Sequence, residues 1–452
     1  MCSHRPLHPT RPAGRDRAPV RIVHLGLGNF FRAHTCWYTE HCADAADWGI
    51  AAFSGRTATH VDALRTQDEV YTLLIQGPEP TVETISALSA VHTAAESDAW
   101  RGYFASPEVS LVTSSITEGG YVRDAAGNLD LTRVAADVAV LRADPAGPVT
   151  SAPGKFVAGL LARRAAGAGP ITFLPCDNVV SSGAMVRTVV TQMAAAVDPG
   201  LVSWIEANVG FNSAMVDRIT PQPTPADFRR VAELTGYDDP AAVVTEPFTE
   251  WVIEGTCRTP RPAWETADAQ FVADIVPFEH RKLWLLNGSH SLLAYAGPLR
   301  GHATVQQAIA DPIVAGWVEA WWDEAAAYLP LPETEIRAYR ASLLARFQNP
   351  ALQDVLSRIA ADGSQKLPIR VVPTLRADLD HGRTPTAALR AIAAWVWHVR
   401  GRSTPVNDAR QAEVVALGDG TLDDTVTNVL AFLDLPGDLH GAVAELARDF
   451  GG

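Results

Sequence analysis

Residues 21–42 constrain the fold more than any other stretch. Residues 21–25 are a short β-branched run, Gly26-Leu27-Gly28 stops it, and residues 29–42 resume with helical spacing. Strand, tight turn and helix in that order open a parallel βα unit. The pattern recurs, with residues 49–54, 71–76, 110–114 and 170–175 reading as further strands and 57–66 as a helix. Such alternation predicts an α/β architecture, a doubly wound and mostly parallel sheet over residues 21–277. From about residue 278 the spacing becomes helical, over 279–296, 312–328, 334–347, 386–399, 409–417 and 438–450. Residues 278–452 are therefore predicted to form a mainly α-helical domain. Residues 1–20 hold Arg5, Arg11, Arg15 and Arg17 among prolines without an apolar run, and read as a flexible arm rather than a signal peptide or anchor.

Charge and composition narrow the partners. Asp and Glu outnumber Lys and Arg by 51 to 37, a net charge of -14, which opposes binding to nucleic acid. No apolar run reaches the roughly 18 residues that a membrane span needs. The cysteines Cys2, Cys36, Cys42, Cys176 and Cys257 form no C-x-x-C pair, so a reducing cytoplasm suits the chain better than a disulfide framework. Of the 37 basic residues only Lys155, Lys282 and Lys366 are lysines. Unlike arginine, lysine can lose its proton in a protein, so these three are candidates for proton transfer.

Four constellations carry chemistry. Gly26 and Gly28 would let the backbone approach a pyrophosphate at the start of a helix, although Phe31 holds the place of the third glycine of G-x-G-x-x-G. Alone, that pair is equally an ordinary strand-to-helix turn. At an α-helical period Glu279, Lys282, Asn287 and His290 fall within about 140° of one helix face, an arc that Leu283 and Leu286 share. A solvated face is the plainer reading, but the leucines turn this side toward protein, where burial would depress the lysine's pKa and make it a usable base. Asp177-Asn178 ends the 170–175 strand, where a parallel sheet places ligands; Asn178 could equally cap the next helix. Asp217-Arg218 on its own reads as a surface ion pair or loop brace before it reads as a site.

Taken together, HLGLGNFFRAH (24–34), QDEVYTL (67–73), TEGGY (117–121), CDN (176–178), FNSAMVDRITP (211–221), EPFTEWVIEG (246–255), KLWLLNGSHSLLAYAG (282–297) and DGSQKLP (362–368) resemble the polyol-specific long-chain dehydrogenases, the mannitol dehydrogenase family. The resemblance runs from residue 21 to about 400. It implies a Rossmann-like N-terminal domain, a helical C-terminal domain, a site in the cleft between them and zinc-free hydride transfer. Carried over, Lys282 matches the general base, Asn178 and Asn287 the two amides on the substrate oxygen, and His290 the histidine beside them. Asp217 resembles the aspartate that orients the site, and Glu279 the glutamate of the proton path. Arg358 and Lys366 resemble the basic residues that reach the substrate. Gly26, Gly28, Asn29 and Phe30 fall in the cofactor loop.

Oxidising a secondary alcohol requires a base and donors for a developing alkoxide at one oxygen, which lysine and two amides supply without metal. A zinc site would need cysteine and histidine ligands in one shell, and a Tyr-x-x-x-Lys pair is absent. The expected activity is NAD(P)-dependent interconversion of a sugar alcohol and a ketose, mannitol and fructose first. The alternatives are a hexuronate reductase acting on fructuronate or tagaturonate and a nucleotide-sensing module without chemistry. After the second strand Ser54-Gly55-Arg56-Thr57 offers Arg56 as a cofactor-binding candidate and no carboxylate for a ribose 2′-hydroxyl, so NAD is expected with NADP tolerated. Two departures from the family pattern are Phe31, where many members have histidine, and Ser182-Gly183, where Asn-Gly is common. A monomer is the family default.

Overall fold

The computed structural model describes residues 8–55, 58–352 and 354–450. The chain divides into two compact units, residues 1–276 and 277–452.

The first unit is built on a six-stranded sheet in the order β5-β2-β1-β6-β7-β8, every neighbouring pair parallel. Its strands are β1 (Val20–Leu25), β2 (Gly49–Phe53), β5 (Leu88–His92), β6 (Leu111–Ser114), β7 (Ile171–Pro175) and β8 (Val209–Phe211). Side chains alternate between two covered faces. Val23, Leu25, Val112 and Phe173 pack with Phe156 and Leu160 of the helix Ala152–Ala166, whereas Ile22, Ile50, Leu111 and Leu174 pack with Cys36 and Tyr38. Chain order reverses between β1 and β6, and ligands of such sheets bind beyond the carboxyl ends of the strands at that reversal.

Two expectations change. The strand at 71–76 is β3 (Tyr71–Ile75), and it leaves the main sheet to lie between β10 (Val243–Thr245) and β4 (Thr81–Ile85). Asp68 and Glu69 both have positive φ, a paired left-handed turn that redirects the chain just before it. The helix expected over 29–42 is two, Asn29–Ala33 and Thr35–His41, broken at His34, whose Nε2 lies 3.0 Å from the Glu250 carbonyl oxygen. A third sheet, β12-β11-β9, joins β9 (Ala214–Asp217), β11 (Glu250–Glu254) and β12 (Gln270–Val272).

The described part of the expected arm is tied to the domain. Arg11 donates to the carbonyls of Ser86 (2.8 Å) and Leu88 (2.9 Å), Arg15 pairs with Glu40, and Arg17 pairs with Glu69 at 2.6 Å. Arg11 thus occupies the Leu88 carbonyl and Arg17 the Ser89 carbonyl of β5, an edge strand that would otherwise offer them to another chain.

The second unit is helical. Leu292, Leu293 and Ala296 of Ser289–Leu299 and Ile392 and Trp395 of Thr386–Val399 are fully buried. The helices Gly363–Arg370, Val372–Asp380 and Leu422–Phe432 add to those anticipated. No helix among the described residues is long and apolar enough to cross a membrane.

Candidate functional site

In the first unit the loop after β1 is built by close backbone approach. Gly26 has φ +116°, and a Cβ there would lie 2.2 Å from the Ser115 carbonyl oxygen, so only glycine fits. The N–H groups of Gly26 and Leu27 donate to the Phe53 carbonyl at the end of β2 (2.9 and 3.2 Å), and the Gly28 N–H donates to the Gly26 carbonyl at 2.7 Å. A Cβ at Gly28 would meet only the Gly26 oxygen, at 3.9 Å, so the space above the turn is open. With Leu27 buried in the core, this turn beside the β1/β6 reversal fits a dinucleotide. Asn29 accepts from Arg32 at 2.8 Å and donates to Gln222 at 3.2 Å, and the Phe30 ring stacks on His34. Gly55 is exposed with no atom within 4 Å of a Cβ, and Arg56 lies outside the described residues.

The end of β7 separates two neighbours that the sequence left together. The Asp177 carboxylate is buried and accepts from the Ile116 N–H (2.6 Å), the Ser114 hydroxyl (2.9 Å) and the Tyr121 hydroxyl. Burial raises its pKa to about 6 against the pull of those donors. It braces the loop after β6, while Asn178 is exposed. Asp217 is buried at the end of β9, opposite Glu250 of β11. Arg218 is a brace, donating to the Ala33 and Glu246 carbonyls with its guanidinium over the Trp37 ring.

In the second unit Glu279, Lys282, Asn287 and His290 share one continuous helical run of three segments. They are Val276–Arg281, a π-helical Lys282–Gly288 and Ser289–Leu299. The even α-helical period assumed from the sequence does not hold here. In a π-turn the hydrogen bonds run i to i+5 and each turn takes more than four residues, so Lys282 and Asn287 come closer to one side of the helix than an α-helical period would set them. Glu279 is buried, and Lys282, Asn287 and His290 are half-buried. The His290 ring lies 5.2 Å from that of Phe347.

Lys366 and Arg358 sit on separate short helices. Lys366 is half-buried, its Nζ donates to the Ile359 carbonyl at 3.2 Å, and burial followed by the charge of Arg370 lowers its pKa. Arg358 keeps 67% of its side chain exposed and pairs with Asp354. Arg370, missed in the sequence, lies four residues after Lys366 on the same helix, and its guanidinium contacts the Asn287 carbonyl and the Ser291 hydroxyl, both at 3.3 Å. Its spacing from Lys366 was the available signal. Among the described residues no three of His, Cys, Asp and Glu are grouped to hold a metal ion.

Comparison with known proteins covers both units. The family profile "Mannitol dehydrogenase Rossmann domain" matches residues 20–266, and "Mannitol dehydrogenase C-terminal domain" matches residues 274–447. The chain is 39% identical over 401 residues to a D-mannonate oxidoreductase of Escherichia coli K12, covering 85% of this chain and 81% of that protein. It is 37% identical over 396 residues to a D-arabinitol 4-dehydrogenase of Ralstonia nicotianae, covering 85% and 84%. The Pseudomonas fluorescens mannitol 2-dehydrogenase, solved as a ternary complex with NAD and D-mannitol, superposes with a TM-score of 0.80 at 33% identity, over 96% of this chain and 92% of that one.

Proposed function

This chain belongs to the mannitol dehydrogenase family, a family of polyol and sugar-acid dehydrogenases, and from that premise we propose that it interconverts a sugar alcohol and a ketose with NAD(P) and without zinc. The observation that carries the reading is the π-turn, which sets an amine and a carboxamide one helical turn apart. A nicotinamide, when bound, takes the hydride from the carbinol carbon.

The protein's own groups manage the oxygen. The Lys282 amine removes the hydroxyl proton as the C–H bond breaks, so the alcohol loses one hydride and one proton and leaves as a ketone. The Asn287 amide donates to the oxygen as its negative charge grows, which stabilises the transition state more than the ground state. By the family resemblance Asn178 is the second amide, His290 the histidine beside the two amides, Glu279 the outlet for the proton and Asp217 the group that orients the set. Gly28 leaves room for a pyrophosphate, Gly26 admits the Ser115 backbone that shapes the turn, and Asn29 and Phe30 follow at the start of the next helix.

A sugar-acid substrate is the second reading. Two observations favour it: the 39% identity to a D-mannonate oxidoreductase, and the cations Lys366 and Arg370 one turn apart on a helix that reaches the Asn287 carbonyl. A panel of D-mannitol, D-arabinitol and D-mannonate with each cofactor, scored by absorbance of the reduced nicotinamide, tests both. Turnover of the two polyols well above D-mannonate supports the first reading, the reverse order supports the second, and no turnover of any contradicts both.

A further inference from the structure

A π-turn inside a helix needs support. It replaces i to i+4 pairing by i to i+5, which puts the backbone ladder out of step with the α-helical turns on either side. Carbonyls at such a mismatch can take further donors. In this chain three side chains donate to carbonyls of the π-turn. The Trp321 indole N–H donates to the Trp284 carbonyl at 2.9 Å, and the Trp322 indole N–H donates to the Leu285 carbonyl at 3.0 Å. The Ser289 hydroxyl adds a second bond to the Leu285 carbonyl, at 2.6 Å. Both tryptophans lie on the helix Pro312–Ala326 and are essentially fully buried.

The fit is tight. A Cβ at Gly288 would lie 2.6 Å from Cζ2 and 2.8 Å from Nε1 of Trp321, so the missing side chain in the π-turn is what admits the indole. Beyond Trp322 the Phe347 ring stacks at 6.3 Å, and its other neighbour is the His290 ring at 5.2 Å. One pair of indoles therefore touches the backbone between Lys282 and Asn287 and, through Phe347, the flank of His290.

We propose that Trp321 and Trp322 are positioning residues for the reaction. Their indole N–H groups hold the π-turn open and so fix the spacing of Lys282 from Asn287. The inference rests on the proposed roles of those two groups. Neither tryptophan needs to touch the substrate. A catalytic amine and amide on one helix are useful only at one separation, and misplacement by about 1 Å is enough to cost on the order of 10²-fold in rate.

The test replaces each indole by a ring without the N–H, as Trp321→Phe and Trp322→Phe. Trp395→Phe serves as the control, because Trp395 is fully buried in the same unit and its Nε1 has no hydrogen-bond partner among the described residues. Two readouts are taken on the full chain, amide hydrogen exchange of residues 282–291 and steady-state kinetics with the most active of D-mannitol, D-arabinitol and D-mannonate. Trp321→Phe and Trp322→Phe are expected to speed exchange in that segment on the order of tenfold over the control. They are also expected to lower kcat at least tenfold with KM for NAD unchanged within about twofold. Gly288→Ala, which pushes the Trp321 indole away, is expected to reproduce both. Exchange no faster than in Trp395→Phe overturns the proposal, and so does faster exchange with wild-type kcat. Should Lys282→Ala keep its turnover while the tryptophan variants lose theirs, the assignment of the base falls and the indole support stands.

Discussion

The His24 and Phe31 rings stack face to face, 3.5 Å apart and 9° from parallel. His24 is fully buried on β1, with Nδ1 2.8 Å from the Thr113 hydroxyl and Nε2 3.1 Å from the Gly26 carbonyl oxygen. A carbonyl only accepts, so Nε2 carries the hydrogen and Nδ1 accepts from the threonine. Phe31, standing where a third glycine of the dinucleotide fingerprint would be, thus packs the histidine that props the Gly26 carbonyl.

Burial lowers the pKa of His24 to about 3. Between that value and about 6.5 the unfolded chain binds a proton that the native one does not, so stability contributed by the neutral ring is lost as pH falls through this window. From pH 7 to pH 5 the group accounts for about 2 kcal/mol. Urea unfolding at both pH values should show a smaller acid loss in His24→Gln than in wild type, and equal losses would contradict the assignment.

Gly26 and Gly28 should fail differently. Gly26→Ala sets a Cβ against the Ser115 carbonyl at a left-handed φ, and a lower unfolding midpoint, corresponding to about 1–3 kcal/mol, is expected. Gly28→Ala meets no such obstacle and should fold as wild type while weakening NADH binding about tenfold or more, read by fluorescence titration. Unchanged NADH affinity in Gly28→Ala would place the pyrophosphate elsewhere.

Cofactor choice can be shifted at Gly55, where the structure leaves room for a side chain. Gly55→Glu puts a carboxylate just after β2, near the expected 2′ position, where it repels a phosphate and accepts from a hydroxyl. Wild type is expected to use NAD and tolerate NADP, and the variant to lose kcat/KM with NADP at least about tenfold more than with NAD. A wild type that already rejects NADP about a thousandfold would mean that another carboxylate reads the ribose.

Prolonged treatment with a strong chelator should leave activity unchanged, because amides rather than a metal ion are proposed to hold the substrate oxygen. Inactivation reversed by added zinc would overturn that.

The strand-turn-helix opening was legible because a β-branched run closed by Gly26 and Gly28 allows few other folds, and the helical half showed its period plainly. Less visible was the exit of β3 from the main sheet, since it hangs on two successive left-handed residues, Asp68 and Glu69, that no periodicity announces. Lys282 and Asn287 were named as candidates from residue type and resemblance, but the π-turn that carries them was not legible, because a π-turn leaves no periodicity of its own over so few residues. The donors that support the π-turn come from Trp321 and Trp322, more than thirty residues along the chain, and only the fold brings them to it. Asp177 and Asn178 were adjacent letters of one motif, and burial separated a brace from an exposed amide.

The central claim is that the Lys282 amine takes the alcohol proton, and kcat of Lys282→Ala at neutral pH tests it most directly. Asn287 donates and cannot accept that proton through its amide nitrogen, so the variant should fold as wild type and lose about 10² to 10⁴ in kcat, with partial rescue by an added primary amine. A folded Lys282→Ala that keeps more than about a tenth of wild-type kcat would contradict it.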